Sequence, residues 1–144
     1  MQCYGTVATE GITPWIGAPH TISQLPNILK SSVLYRVPDP LKQNESNFDI
    51  TPTKMCDIFI AHTKHKKEYF ITSLENCGFK ELEQRNKVIE ISNTIGCITS
   101  KIELLIWHRR IHKNDLDKPI YWTGPEKVDD AKIAIFVKKG ILCL

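Results

Sequence analysis

The spacing of apolar residues changes repeatedly between residues 56 and 108, and this compact unit is the most informative part of the chain. The run 56–61, Cys-Asp-Ile-Phe-Ile-Ala, is short and rich in β-branched and aromatic residues, so it predicts a buried strand. The spacing between apolar residues then lengthens to that of a helix. Three apolar residues predict one helix face: Phe70, Leu74 and Cys77. Gly78 follows where helix ends favour a left-handed residue.

A second strand and a second helix are predicted beyond this glycine. The segment 87–91, Lys-Val-Ile-Glu-Ile, has the composition of a strand. Asn93 is a favourable N-cap residue. Four isoleucine or leucine residues recur after it at i, i+3, i+7 and i+10: Ile95, Ile98, Ile102 and Leu105. Residues 104–107 suit either the end of this helix or the start of a third strand, and periodicity leaves both open.

The flanking segments predict two arms, at 1–53 and 113–144, around a core domain at 54–112. Six of the eight prolines lie in the first fifty-two residues, where each removes a backbone donor and disfavours helix in the residue before it. We therefore expect a mostly extended N-terminal arm that lies along a partner surface, with room for one short helix over 21–34. The C-terminal arm carries a strand-like segment at 132–137.

The formal net charge is only +3, but the charge is unevenly distributed. Residues 56–114 hold ten basic and seven acidic side chains, whereas basic and acidic side chains balance on either side of this segment. Two basic clusters flank the predicted unit, one at 62–67 and one at 107–113. Runs of this kind are most often solvated surface, yet two of them on one small domain favour a face that binds phosphate groups.

The chain contains no recognisable catalytic or cofactor-binding motif. Its five cysteines are an odd number at wide spacing, which favours a reducing compartment over a disulfide framework. The histidines with ligand-like spacing, His62, His65, His108 and His112, lack the close cysteine pair of a zinc site. No apolar run approaches the ~18 residues of a membrane span. We therefore expect a protein that is not an enzyme, uses no cofactor or metal, and binds neither a membrane nor a small-molecule substrate.

Two patterns in the core match a known family. Gly78 and Phe79 form a glycine turn after the first predicted helix, and a second pattern falls at Ile98, Lys101, Ile102, Leu105 and Ile106. Together they resemble the large-subunit ribosomal proteins of the L-thirty family, and the arms on both sides are similar to those of mitochondrial members. The family's Arg-Ser-x-Ile-Gly segment is absent, and the shorter basic loop at 62–67 stands in its place.

The resemblance implies an α+β fold of the ferredoxin-like βαβαβ type, with a small, mostly antiparallel sheet, two helices on one face, and extended arms. It also implies a structural constituent of the large subunit of a mitochondrial ribosome, in the mitochondrial matrix, that binds rRNA and neighbouring ribosomal proteins. His65 or Trp107 is expected to stack on an exposed base. The positions that would contact RNA are Lys64, His65, Lys66, Lys67, Asn93, Lys101, Arg109, Arg110 and Lys113.

A second resemblance leads to a different function. The strand at 57–62, followed by a charged helix start, is similar to the opening of a Toll/interleukin-receptor (TIR) domain, which cleaves NAD or scaffolds signalling. That fold is a doubly wound parallel sheet of about five βα units, and the usual βαβ crossover takes ~30 residues. The chain beyond residue 87 has room for about two more such units. An assay for NAD loss separates the two hypotheses.

Overall fold

The computed structural model describes residues 4–16, 20–38, 47–63, 67–82, 88–123 and 133–139, and this part of the chain is mostly strand with little helix. The strands are β1 (Tyr4–Val7), β2 (Trp15–Ile16), β3 (Thr21–Gln24), β4 (Val33–Pro38), β5 (Asn47–Ile50), β6 (Cys56–Thr63), β7 (Lys80–Glu81), β8 (Ile89–Ile95), β9 (Ile98–Ile111), β10 (Ile120–Thr123) and β11 (Ile133–Lys139). The α-helix α1 spans Lys67–Asn76, and short 3-10 helices span Asn27–Leu29 and Lys113–Asp115.

Nine of these strands form one curled antiparallel sheet that resembles half of a barrel. Its order is β1-β4-β11-β6-β9-β8-β3, with β7 beside β9 and β2 parallel to β4, while β5 and β10 form a separate ribbon. β11 lies between β4 and β6, so the last described segment joins β4 to the centre of the sheet. Trp15 strengthens this junction, since its Nε1 donates a hydrogen bond to the carbonyl of Ile133 at 2.5 Å.

Side chains alternate across the sheet into two apolar clusters, one on each face. Phe59 and Ile106 belong to the cluster that contains Trp15. Ile60 and Trp107 pack on the opposite face with Leu74 of α1. All eight residues of β6 are buried because apolar residues cover both of its faces, which explains why its sequence is a nearly continuous apolar run.

The predicted ferredoxin-like fold with two helices is wrong. The segment predicted as the second helix is the β8–β9 hairpin, in which Ile95 pairs with Ile98 across a two-residue turn. Gly96 takes the first turn position with φ of 62°, a left-handed conformation that glycine adopts without steric cost. Asn93 lies within β8 and caps no helix. β-branched residues crowd this segment and stiffen it against helix, which the helical spacing of its isoleucines concealed.

The first predicted strand and helix agree with the structure, whereas the N-terminal segment differs from its prediction. The first predicted strand lies within β6, and the first predicted helix overlaps α1, which Gly78 follows with φ of 81°. The segment 21–34 contains β3 and a 3-10 helix where we predicted room for a short helix. Trp15 and Leu34 belong to the N-terminal arm, which we expected to lie along a partner surface, and both are fully buried within this chain.

Two further features bear on the alternatives. All strand pairs other than β2–β4 are antiparallel, so the described residues do not contain the doubly wound parallel sheet of a TIR domain. No helix in the described segments is long and apolar enough to cross a membrane.

Candidate functional site

An open cleft of about 760 Å³ lies near the end of β9, beside β7. The end of α1, Asp115 of the second 3-10 helix and the start of β10 form its other walls. His108 and Arg110 come from one face of β9 and Arg109 from the other. Lys80 and His112 complete a lining of five basic side chains, and this set is called the basic cleft below.

A buried carboxylate supports one side of the basic cleft. Asp57 of β6 is 1% exposed and stands opposite Arg110 in the strand register. Its Oδ1 accepts hydrogen bonds from His108 Nε2 at 2.6 Å and from Arg110 Nε at 3.1 Å. A carboxylate this deeply buried is tolerated only when it is paired, so Asp57 fixes the positions of both side chains.

Arg109 is held on the opposite face of the sheet. Its Nη1 donates to the carbonyl of Cys77 at 2.7 Å, and its Nη2 lies 3.5 Å from Asp115 Oδ1. Gly78 packs directly against this side chain, since a Cβ built at that position would lie 3.5 Å from Arg109 Cδ and Nε. The guanidinium is therefore clamped between the end of α1 and the 3-10 helix, next to a helix C-terminus whose dipole favours a cation.

Among the described residues, Asp115 supplies the carboxylate in the lining of the basic cleft. The backbone N–H of His112 donates to Asp115 Oδ2 at 3.0 Å. This hydrogen bond holds the pKa of Asp115 below its ordinary 3.8 against the opposing effect of burial, and the charges of Arg109, His112 and Lys118 lower it further. Asp115 is thus ionised at neutral pH and balances part of the positive charge.

Cys77 also lines the cleft, but its chemistry does not favour nucleophilic catalysis. Its Sγ donates to the carbonyl of Tyr121 at 3.4 Å. Burial raises the pKa of the Cys77 thiol above its ordinary 9.0, and the nearby charge of Arg109 only partly opposes this shift. The protonated thiol is a poor nucleophile.

Two residues considered in the sequence analysis turn out to be core residues. Trp107 is 1% exposed, and its Nε1 donates to His62 Nε2 at 2.6 Å. Because Nε2 accepts, the neutral imidazole carries its proton on Nδ1, which lies 3.0 Å from the carbonyl of Thr63. Trp107 is therefore too buried to stack on a base, and His62 already has partners on both ring nitrogens. The described residues contain no group of three or more His, Cys, Asp or Glu suited to a metal ion.

The structure brings together only some of the predicted RNA-binding residues. Arg109 and Arg110 meet at the basic cleft, and Lys113 is exposed in the adjacent 3-10 helix. Asn93 and Lys101 lie on the β8–β9 hairpin, where Lys101 Nζ is 3.5 Å from Glu90 Oε1. Lys64, His65 and Lys66 fall outside the described residues, and Lys67 is placed only as the first residue of α1.

Sequence reasoning missed three residues of the site and its support: Asp57, Lys80 and Tyr121. Asp57 had a detectable signal, because a carboxylate inside a buried apolar strand requires a cationic partner on a neighbouring strand. Lys80 and Tyr121 had none, since their places at the cleft depend on the pairing of β7 with β9 and on the contact between β10 and the end of α1.

The basic cleft is suited to binding anions. Three permanent cations, Lys80, Arg109 and Arg110, surround an opening that contains one carboxylate. Planar guanidinium groups bind phosphate or carboxylate through two parallel hydrogen bonds, so fixed arginines favour such ligands. Comparison with family models, with curated proteins and with solved structures gave no match to this chain.

Proposed function

We propose that this protein is a non-catalytic RNA-binding module whose basic cleft holds phosphates of the RNA backbone. The observation that carries the proposal is that Arg109 and Arg110, although on opposite faces of β9, line the same cleft together with Lys80. Phosphate contacts by arginine and lysine supply most of the affinity in sequence-independent nucleic-acid binding. A cleft that concentrates these side chains at one end of the sheet therefore suits a polyanion.

The intramolecular contacts of the cleft support binding because they hold its arginine side chains in place before RNA binds. Arg109 is fixed by Cys77 and Asp115, and Arg110 is oriented by Asp57. Ordering a long cationic side chain on binding costs about 0.5–1.5 kcal/mol, and a side chain that is already ordered avoids most of this cost. The cleft remains cationic because Asp57 and Asp115 carry fewer charges than the lysine and arginines around them.

The narrower hypothesis is that the RNA is large-subunit rRNA of a mitochondrial ribosome, with neighbouring ribosomal proteins as further partners. It rests on the sequence resemblance alone, and the two-helix fold that the resemblance implies is not the fold of this chain. Sedimentation of the endogenous protein tests it directly. We expect the protein to sediment with large subunits at moderate salt and to be released from them at high salt. Free protein at both salt concentrations would contradict the ribosomal assignment.

Two matched substitutions test the basic cleft itself. Lys80→Gln and Lys101→Gln each remove one positive charge from an exposed lysine, but Lys101 lies about 23 Å along β9 from His108. Binding of a fluorescent single-stranded RNA of twelve nucleotides is measured by anisotropy over a range of salt concentrations. Lys80→Gln should weaken binding about fivefold and reduce the slope of log affinity against log salt by about 0.7.

Lys101→Gln should leave both quantities unchanged, because the hairpin is remote from the cleft. Equal losses in the two variants would show that the positive charge acts diffusely and that the basic cleft is not the binding site. Absence of RNA binding by the unmodified protein, at salt low enough for nonspecific complexes, would refute the proposed function.

A further inference from the structure

The rim of the basic cleft carries an exposed aromatic side chain. Tyr121 is 62% exposed and belongs to the same cleft lining as Lys80, Arg109 and Arg110. Most large apolar side chains near this site are buried, including the adjacent Ile120 at 6% exposed. An exposed ring among cations is the combination from which single-strand binding sites are built, since the cations hold phosphates and the ring stacks on a base.

The backbone of Tyr121 is fixed in place. Tyr121 pairs with Asp49 in the β5–β10 ribbon, and its carbonyl accepts the hydrogen bond from the thiol of Cys77. Strand alternation sends Ile120 into the core and Tyr121 outwards. The ring therefore projects from a paired strand tied to the end of α1, and little backbone order has to be gained when a flat ligand stacks on it.

From this arrangement we infer that the ligand is single-stranded RNA, with one base stacked on Tyr121 and neighbouring phosphates on Lys80 and Arg110. The inference rests on the proposed function and deepens it. In a duplex the base faces are covered by their neighbours in the stack, so Tyr121 would have no base to contact. In a single strand both the base face and the adjacent phosphates are accessible to one cleft.

The test compares three RNA probes of twelve nucleotides on the full chain at one salt concentration. They are a single strand, its duplex, and an abasic strand that carries ribose and phosphate without bases. Wild-type protein should bind the single strand more tightly than the duplex or the abasic strand. Tyr121→Leu should weaken single-strand binding by about 5- to 150-fold and leave abasic binding unchanged.

Two more variants isolate stacking from other effects. Tyr121→Phe keeps the ring and should bind as the wild type does, while Ile98→Ala removes a comparably exposed apolar side chain from the distant hairpin and should have no effect. If Tyr121→Leu binds all three probes as the wild type does while Lys80→Gln weakens all of them, the stacking inference fails and the phosphate-binding cleft stands. If no probe binds, the proposed function fails as well.

Discussion

At the scale of single residues, Asp57 connects the strand pairing to the electrostatics of the cleft. Its place in β6 buries it, and the register with β9 brings Arg110 opposite and His108 within 2.6 Å. Hydrogen bonds to a buried charged group contribute about 1.5–3 kcal/mol each, so the carboxylate is stabilising only because both partners are present. The same contacts fix the two side chains at the cleft.

Asp57→Asn tests this role because it keeps the shape of the side chain and removes its charge. We expect the free energy of unfolding to fall by about 2–3 kcal/mol, measured by urea denaturation at pH 7. Asp117→Asn is the matched control, since Asp117 is exposed with φ of 62° and asparagine tolerates that conformation. Equal stability of the two variants would contradict a supporting role for Asp57.

At the level of secondary-structure elements, short sequence patterns predicted β6 and the end of α1, but the β8–β9 hairpin was wrongly predicted as a helix. The apolar run of β6 and Gly78 at the end of α1 were both recognisable from sequence. The helical spacing of Ile95, Ile98 and Ile102 was fortuitous, and the signal against it was Gly96, which forms the hairpin turn. When the spacing of apolar residues fits both a helix and a strand, β-branched composition and a central glycine favour the hairpin.

The 3-10 helix at Lys113–Asp115 gives a pH-dependent prediction. The pKa of Asp115 is lowered in the folded protein, so its charge stabilises the fold above pH 3.8 and this contribution is lost as the pH falls through the folded-state value. Asp115→Asn should therefore be less stable than the wild type at pH 7, and the difference should shrink below pH 3.8. Urea denaturation at pH 7, 4 and 3 measures this difference in the free energy of unfolding. A difference that is constant across this range would contradict a stabilising charge on Asp115.

At the scale of the whole molecule, the sheet order was beyond the reach of sequence patterns. β11 lies between β4 and β6 although about a hundred residues separate it from β4, and no local spacing records that pairing. For the same reason the N-terminal segment, predicted as an arm against a partner, supplies Trp15 and Leu34 to the core of this chain. Of the site, sequence could predict the basic run of β9, but not the cleft that Lys80 and Tyr121 complete with it.

Binding of RNA at the basic cleft is tested most sharply by a residue-by-residue map of RNA contact in solution. Backbone ¹H–¹⁵N resonances of the full chain are followed by NMR while a twelve-nucleotide single-stranded RNA is added. We expect the largest shifts at Gly78, Lys80, Tyr121 and residues 108–112, with no comparable shifts on the hairpin at 93–101. Shifts concentrated on that hairpin, or the absence of any shifts at the cleft, would contradict RNA binding at the basic cleft.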